Sequence, residues 1–328
     1  MYVYRWDLDK TYLDTDFDSI RGLIRSATEP AHEKRNVPGS GALMRSLSRH
    51  PNARIIILSG SPTQMRDVLA EKLRLDGVRY DELHLKDNLG NLKRGRFRAV
   101  RGQFGYKLPM LLRGRLGLGP AVRETLFGDD AEVDALVYSV FADAIAGRLR
   151  PSEVSRIMEA AGSYPDRIAE ALEVLDRLGT SDAVDRVFIH LDRGVPTARF
   201  APLGSRVVPV FSWFQAALVL HDLGRLDVSG VIEVAREVVD RSPTGARGLA
   251  NHLQDIVRRG YAPITLVDRL AQAGWTDDAV PDFLPLARRR IDALHGLAVA
   301  PLPLIPPRIN YLDLLRQFGR KESREDAG

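Results

Sequence analysis

A near-continuous aliphatic run, ARIIIL at residues 53–58, restricts the fold of this chain more than any other feature. Such runs are typical of strands that are buried on both faces of a parallel sheet. Shorter strand-like runs at residues 2–6, 80–85, 122–127 and 186–191 alternate with segments of helical spacing. This β-α-β-α succession predicts an α/β fold of three layers, with a parallel sheet between two layers of helices.

The pattern changes near residue 210, where helix follows helix and Gly or Pro separates most of them. We therefore expect an α/β domain over residues 1–205, an all-α helical domain over residues 206–319 and a disordered tail over residues 320–328. Within the first domain the helical spacing predicts helices at residues 39–49, 62–73, 107–115, 133–147 and 152–178.

Composition excludes several classes of protein. The 328 residues contain no cysteine, which excludes disulfide scaffolds, Cys-ligated metal sites and thiol nucleophiles. No apolar run reaches the roughly 18 residues that a membrane span needs, so we expect no transmembrane segment. The first residues lack the features of a secretory signal, and we expect a cytoplasmic protein, with membrane contact at most peripheral.

Two carboxylates follow the first predicted strand, in the segment Trp6-Asp7-Leu8-Asp9-Lys10-Thr11. In open parallel sheets, ligands bind at the carboxyl ends of the strands. One Asp of such a pair can attack phosphorus, and the other can protonate the leaving oxygen. Both also offer hard oxygen ligands for Mg²⁺. Acidic turns after strands are common without any such role, so this segment alone leaves both interpretations open.

Two further segments also follow a strand or begin a helix. Ser59-Gly60-Ser61 ends the aliphatic strand, and its hydroxyl and N–H groups suit a phosphate oxygen, although a helix N-cap explains them as well. Lys107 lies at a predicted helix start, where the helix dipole disfavours a cation unless an anion accompanies it. Lys86 is the competing lysine, next to Asp87.

A cluster of acids, Gly128-Asp129-Asp130-Ala131-Glu132-Val133-Asp134, follows the strand at residues 122–127. Carboxylates at a strand end suit the coordination of Mg²⁺. The same residues also fit an ordinary acid-rich helix N-terminus.

The four segments occur in the order Asp-x-Asp-x-Thr, strand-Ser, Lys and Gly-Asp-x-x-x-x-Asp, which resembles the haloacid dehalogenase superfamily over residues 1–195. The resemblance implies a Rossmann-like parallel sheet and a Mg²⁺-dependent phosphatase. It also implies catalytic roles: Asp7 is the nucleophile, Asp9 is the general acid and base, and Thr11 is the last residue of the first motif. The phosphate-binding hydroxyl is that of Ser59 or else Ser61, and Lys107 is the lysine of the third motif. The implied metal ligands are Asp7, Asp9 through its carbonyl, Asp129 and Asp134, with Asp130 as the rival of Asp129.

In finer detail, residues 58–75, the Tyr106-Lys107 start of the third motif and the acidic motif are similar to the catalytic domains of lipin-type and actin-patch-type phosphatidate phosphatases. The chain departs from those families at Lys10, where they carry Asp or Gly.

The segments where this superfamily inserts its cap domains are too short here for a full cap, and an open site suits a bulky substrate. Residues 93–123 carry nine basic and no acidic residues, which would attract anionic substrates. From this block and the second motif we expect substrate contacts from Gly60, Arg94, Arg96, Arg98 and Arg101.

The favoured substrate is a large phosphomonoester such as phosphatidate, at a membrane surface. Nucleic acid is an alternative anion, but no nucleic-acid fold signature supports it. The other alternative is a degenerate scaffold that binds a protein or nucleic acid, with the helical half as its docking surface. The sequence leaves the oligomeric state open.

Overall fold

The computed structural model describes residues 1–15, 29–87, 102–131, 133–241, 243, 245–276, 278–294 and 303–319. Its centre is a six-stranded parallel sheet with the order β3-β2-β1-β4-β5-β6. The strands are β1 (Tyr2–Trp6), β2 (Ala53–Pro62), β3 (Glu82–Lys86), β4 (Arg123–Asp129), β5 (Val184–His190) and β6 (Val207–Val210). The α/β prediction is confirmed.

Helices cover the sheet on both faces. Those described before β6 are α1 (Ser40–Ser48), α2 (Arg66–Leu75), α3 (Phe104–Arg113), α4 (Asp134–Ile145), α5 (Pro151–Ala160) and α6 (Pro165–Asp176). The single helix that we expected over residues 152–178 is in fact two helices. Gly162 takes a left-handed backbone conformation with φ of 75°, and Pro165 starts a new helix because it lacks the N–H that a continuing helix needs.

The helical region follows β6. Its described helices are α7 (Trp213–Asp222), α8 (Val228–Asp240), α9 (Gly245–Arg258), α10 (Leu266–Gln272), α11 (Phe283–Asp292) and α12 (Tyr311–Gly319). The sequence analysis missed β6 and began the helical region at residue 206. The strand has four residues, VVPV, and Pro209 weakens its pattern. A proline is tolerated there because β6 is an edge strand.

The helical region packs directly on the sheet. Trp213 and Phe127 belong to one buried apolar cluster, so this part of the core is shared by α7 and β4. The carboxylate of Glu237 in α8 accepts hydrogen bonds from the backbone N–H groups of Gly39 (3.2 Å) and Ala42 (2.9 Å) at the start of α1. Thus β6 and these contacts join the residues on either side of the expected boundary at residue 205. The expected tail lies outside the described residues.

Candidate active site

The carboxyl ends of three adjacent strands bring the sequence motifs together. β1 lies between β2 and β4, with Trp6 in register with Ile57 on one side and Phe127 on the other. Asp7 follows β1, Ser59 lies near the end of β2, and Asp129 is the last residue of β4. Because all three strands run in the same direction, these residues lie together at the edge of the sheet that is formed by the carboxyl ends of the strands.

Three carboxylates meet at this edge. Asp7, Asp129 and Asp134 each place a carboxylate oxygen within 4.8 Å of the other two, and all three residues are buried. The Lys107 ammonium lies among them, with Nζ 3.0 Å from Asp7 Oδ1 and 2.5 Å from Asp134 Oδ1. These four groups, which we call the carboxylate cluster, therefore carry three negative formal charges and one positive charge.

Local hydrogen bonds orient two of the carboxylates. Asp129 Oδ1 accepts from the N–H of Ala131 (2.6 Å), and Asp129 Oδ2 accepts from the Thr11 hydroxyl (3.3 Å). The Tyr138 hydroxyl donates to Asp134 Oδ2 at 3.3 Å. Burial, reinforced by the Asp134 carboxylate, raises the pKa of Tyr138 well above its usual value, so the hydroxyl stays protonated as a donor.

Gly128 makes room for Asp134. A Cβ atom at position 128 would lie 2.4 Å from Asp134 Oδ2 and 2.8 Å from Asp134 Cβ. The glycine of this motif is therefore required because the first residue of α4 folds back over the end of β4.

Lys107 and Lys86 have different surroundings. Lys107 is fully buried in the first turn of α3, where the carboxylates offset the unfavourable helix dipole. Lys86, the competing lysine, donates to the carbonyl of Gly102 at 3.0 Å and lies 5.7 Å from the centre of the Tyr106 ring. It therefore contacts the segment that enters α3.

Asp9 lies beside both serines of the second motif. The hydroxyls of Ser59 (3.1 Å) and Ser61 (2.7 Å) both donate to Asp9 Oδ2, so the structure brings both alternatives to the site. Gly60 lies between them, and a Cβ there would be 2.4 Å from Gln103 Nε2. The glycine thus lets α3 approach the serine loop.

Comparison with known families relates part of the chain to a catalytic domain. Residues 6–152 match the family model of the catalytic domain of phosphatidate phosphatase APP1. The match covers less than half of the chain, but it spans all the residues of the carboxylate cluster. No curated protein and no solved structure gives a significant match.

The match confirms the resemblance to phosphatidate phosphatase catalytic domains that the motifs indicate. Within the described residues, no helix is both long enough and apolar enough to span a bilayer.

Asp130, the rival of Asp129 as a metal ligand, lies outside the carboxylate cluster. Its two carboxylate oxygens accept from the backbone N–H groups of Arg193 (2.8 Å) and Val195 (2.9 Å). Its carboxylate thus holds the loop after β5, and the expectation that Asp130 is a metal ligand stays a prediction.

The described members of the basic block lie in different parts of the structure. Arg94, Arg96, Arg98 and Arg101 lie outside the described residues. Of the other members, Arg115 is buried against Glu124, and Arg113 is paired with Glu170. Arg123 begins β4, at the opposite edge of the sheet from the carboxylate cluster. The described arginines therefore do not form one positive surface beside the site.

Two residues at the site were not identified from the sequence. The Trp213 indole N–H donates to the carbonyl of Thr11 at 2.9 Å, and His190 Nδ1 lies 3.3 Å from the carbonyl of Lys10. No local sequence pattern relates Trp213 to the first motif. His190 ends β5, so its position at a strand end was an available signal.

Proposed function

We propose that this protein is a Mg²⁺-dependent phosphatase of the haloacid dehalogenase type, acting on a phosphatidate-like lipid through an aspartyl-phosphate on Asp7. The observation that carries the proposal is the carboxylate cluster, with Lys107 against Asp7 and with Asp9 two residues further along the same loop. The match to the phosphatidate phosphatase family supports the substrate class.

The carboxylate cluster fits Mg²⁺ in charge, donor type and spacing. Mg²⁺ binds oxygen ligands at about 2.1 Å, so oxygens around one ion lie within about 4.2 Å of each other. The three carboxylates approach that spacing. Carboxylate oxygens are also the ligand type that Mg²⁺ prefers in proteins. Asp7, Asp129 and Asp134 would hold the ion, and it would supply charge stabilisation for the phosphoryl oxygens.

The first chemical step uses the two acids of the first motif. An Asp7 carboxylate oxygen attacks phosphorus, and the bond between phosphorus and the ester oxygen breaks. Asp9 gives its proton to the departing alkoxide, which leaves as an alcohol. The Lys107 ammonium, 3.0 Å from Asp7, offsets negative charge on the transferring group.

The second step releases phosphate. Asp9, now a carboxylate, takes a proton from a water molecule, and the resulting hydroxide oxygen attacks phosphorus. The bond between phosphorus and the Asp7 oxygen breaks, which restores both acids and yields inorganic phosphate. The Ser59 and Ser61 hydroxyls, both donors to Asp9 Oδ2, hold this side chain in position for the two transfers.

The substrate proposal also uses the basic block. Arg94, Arg96, Arg98 and Arg101 would contribute about 1 kcal/mol each to contact with an anionic bilayer, if they lie near its surface. Neutralising all four should raise KM on phosphatidate in anionic vesicles while leaving hydrolysis of a small soluble ester unchanged. An equal loss on both substrates would contradict a role in substrate binding.

The central test compares phosphatidate vesicles with p-nitrophenyl phosphate, each with Mg²⁺ and with EDTA. Activity should require Mg²⁺ and should fall roughly 10⁴-fold or more in Asp7→Asn, since the nucleophile is removed. The matched control is Asp14→Asn, an exposed acid on the same segment, which should retain activity. Turnover that persists in EDTA or in Asp7→Asn would refute the mechanism. A preference for sugar phosphates over phosphatidate would refute the substrate.

A further inference from the structure

Two aromatic side chains hold the loop that follows the acid pair. The Trp213 indole N–H donates to Thr11 O at 2.9 Å, and His190 Nδ1 lies 3.3 Å from Lys10 O. The two rings stack on each other, with centroids 5.5 Å apart and an interplanar angle of 23°. They therefore act on consecutive carbonyl groups as one unit, which we call the aromatic brace.

The histidine has a defined protonation state in the aromatic brace. A carbonyl oxygen can only accept a hydrogen bond, so Nδ1 of His190 must carry the proton. Burial lowers the pKa of His190, which keeps the ring neutral near pH 7, with Nε2 as the unprotonated nitrogen.

The loop requires such support because its backbone is strained. Lys10 has a φ of 59°, in the left-handed region that a residue with a side chain rarely adopts. Conformations of this kind persist only where the surroundings enforce them. The residues on either side of Lys10 belong to the proposed active site. Asp9 is the proposed general acid and base, and the Thr11 hydroxyl donates to Asp129 at 3.3 Å.

The aromatic brace packs against buried aromatic residues of β1 and β4. Trp213 is fully buried and packs on Trp6, with ring centroids 5.3 Å apart, and Trp6 stacks on Phe127 at 3.9 Å. Trp6 and Phe127 are the strand residues next to Asp7 and Gly128. A shift of Trp213 would therefore be transmitted to the loop and to both strand ends.

The geometry points to His190 and Trp213 as positioning residues for the phosphatase reaction, a role that rests on the proposed function. Both residues lie outside the segment, residues 6–152, that matches the phosphatidate phosphatase family. His190 at the end of β5 and Trp213 in the helical region thus act together to fix the backbone between Asp9 and Thr11.

The test compares Trp213→Phe with Trp275→Phe. Trp275 is also a buried tryptophan of the helical region, but its indole N–H has no hydrogen-bond partner among the described residues. Both variants lose an indole, and only Trp213→Phe loses a contact with the loop. Relative to Trp275→Phe, we expect kcat of Trp213→Phe to fall about 10-fold to 100-fold, with KM changed by less than about threefold.

A second readout is independent of catalysis. Hydrogen exchange of the peptide that covers residues 7–13 should be faster in Trp213→Phe than in Trp275→Phe. At the histidine, His190→Asn keeps a donor near the position of Nδ1 and should retain most of kcat, whereas His190→Leu should lose it as Trp213→Phe does.

The aromatic brace would be refuted if Trp213→Phe and Trp275→Phe had equal kcat and equal exchange in residues 7–13, or if His190→Asn were no better than His190→Leu. A different result would contradict the proposed function. A wild-type protein without activity on any phosphate ester would contradict the function, and the exchange comparison would still decide whether the aromatic brace holds the loop.

Discussion

The strands β1 and β4 carry two buried charge clusters that are built differently. The first surrounds Glu124, near the amino end of β4: Arg5 Nε lies 2.5 Å from Glu124 Oε2, and Arg115 Nη1 lies 3.1 Å from Glu124 Oε1. The same guanidinium groups donate to the carbonyls of Gly114 and Gly119, each at 3.0 Å. The chain itself supplies acceptors for these buried cations.

The carboxylate cluster, at the carboxyl ends of β1 and β4, has a different composition. It brings together the carboxylates of Asp7, Asp129 and Asp134 and the ammonium of Lys107. In the first cluster each carboxylate oxygen of Glu124 meets a guanidinium group. In the carboxylate cluster three carboxylate oxygens converge within 4.8 Å, which is the type of donor set that the proposed Mg²⁺ would use. The difference between the two clusters separates a structural role from a chemical one, and it can be tested by substitution.

The largest expected effect is on the carboxylate cluster. Asp129→Asn should lower kcat by about 10³-fold, because it removes a charge that stabilises the transition state through the metal. If Mg²⁺ binds as proposed, it should raise Tm of the wild type, and Asp129→Asn should abolish that rise. Without Mg²⁺, the free energy of unfolding should be unchanged or higher, because one of three like charges has gone.

The control for that prediction is the neighbouring acid. Asp130→Asn alters only the contact with the loop after β5 and should retain both most of the activity and the Mg²⁺-dependent rise in Tm. Equal losses in Asp129→Asn and Asp130→Asn would mean that the two acids share one function.

For the cluster around Glu124 we expect the reverse: substitution should lower stability and leave substrate binding unchanged. Glu124→Gln leaves Arg5 and Arg115 buried without their carboxylate and should lower the free energy of unfolding by about 3–5 kcal/mol. Urea denaturation measures this loss, and KM of the folded enzyme should not change. Glu71→Gln breaks an exposed pair with Arg74 and should have little effect on stability. A stable Glu124→Gln variant would show that the two clusters do not differ as described.

A smaller effect is expected from Gly128→Ala. The added Cβ would displace the Asp134 carboxylate, so the Mg²⁺ concentration for half-maximal activity should rise about 10-fold to 100-fold. Gly119→Ala is the control, because a Cβ at that position has no atom within 4 Å. An unchanged Mg²⁺ requirement in Gly128→Ala would remove Asp134 from the set of metal ligands.

Much of the site could be predicted because it depends on strand ends. Hydrophobic periodicity locates the parallel strands, and Asp7, Ser59 and Asp129 follow from where those strands end. The choice between Asp129 and Asp130 could not be made in this way. Successive residues of a strand point to opposite faces, so an error of one residue in the strand end exchanges the two acids.

Other features depend on contacts that sequence periodicity does not encode. The hydrogen bond between Trp213 and Thr11 joins positions 202 residues apart. A buried tryptophan in an apolar helix has the same local pattern whether or not its N–H binds a distant loop. β6 was missed because four residues with an internal proline are too short to show a strand period.

The pairing of β4 with β5 has a practical consequence for expressing parts of this protein. The segment that matches the family ends at residue 152, before β5 begins at Val184. A fragment cut at that point would leave β4 with a free row of backbone N–H and C=O groups along a strand that is otherwise buried. Exposed edges of this kind recruit further chains, so the fragment should form aggregates. Boundaries drawn from the family match alone would then yield an insoluble product that gives no information about activity.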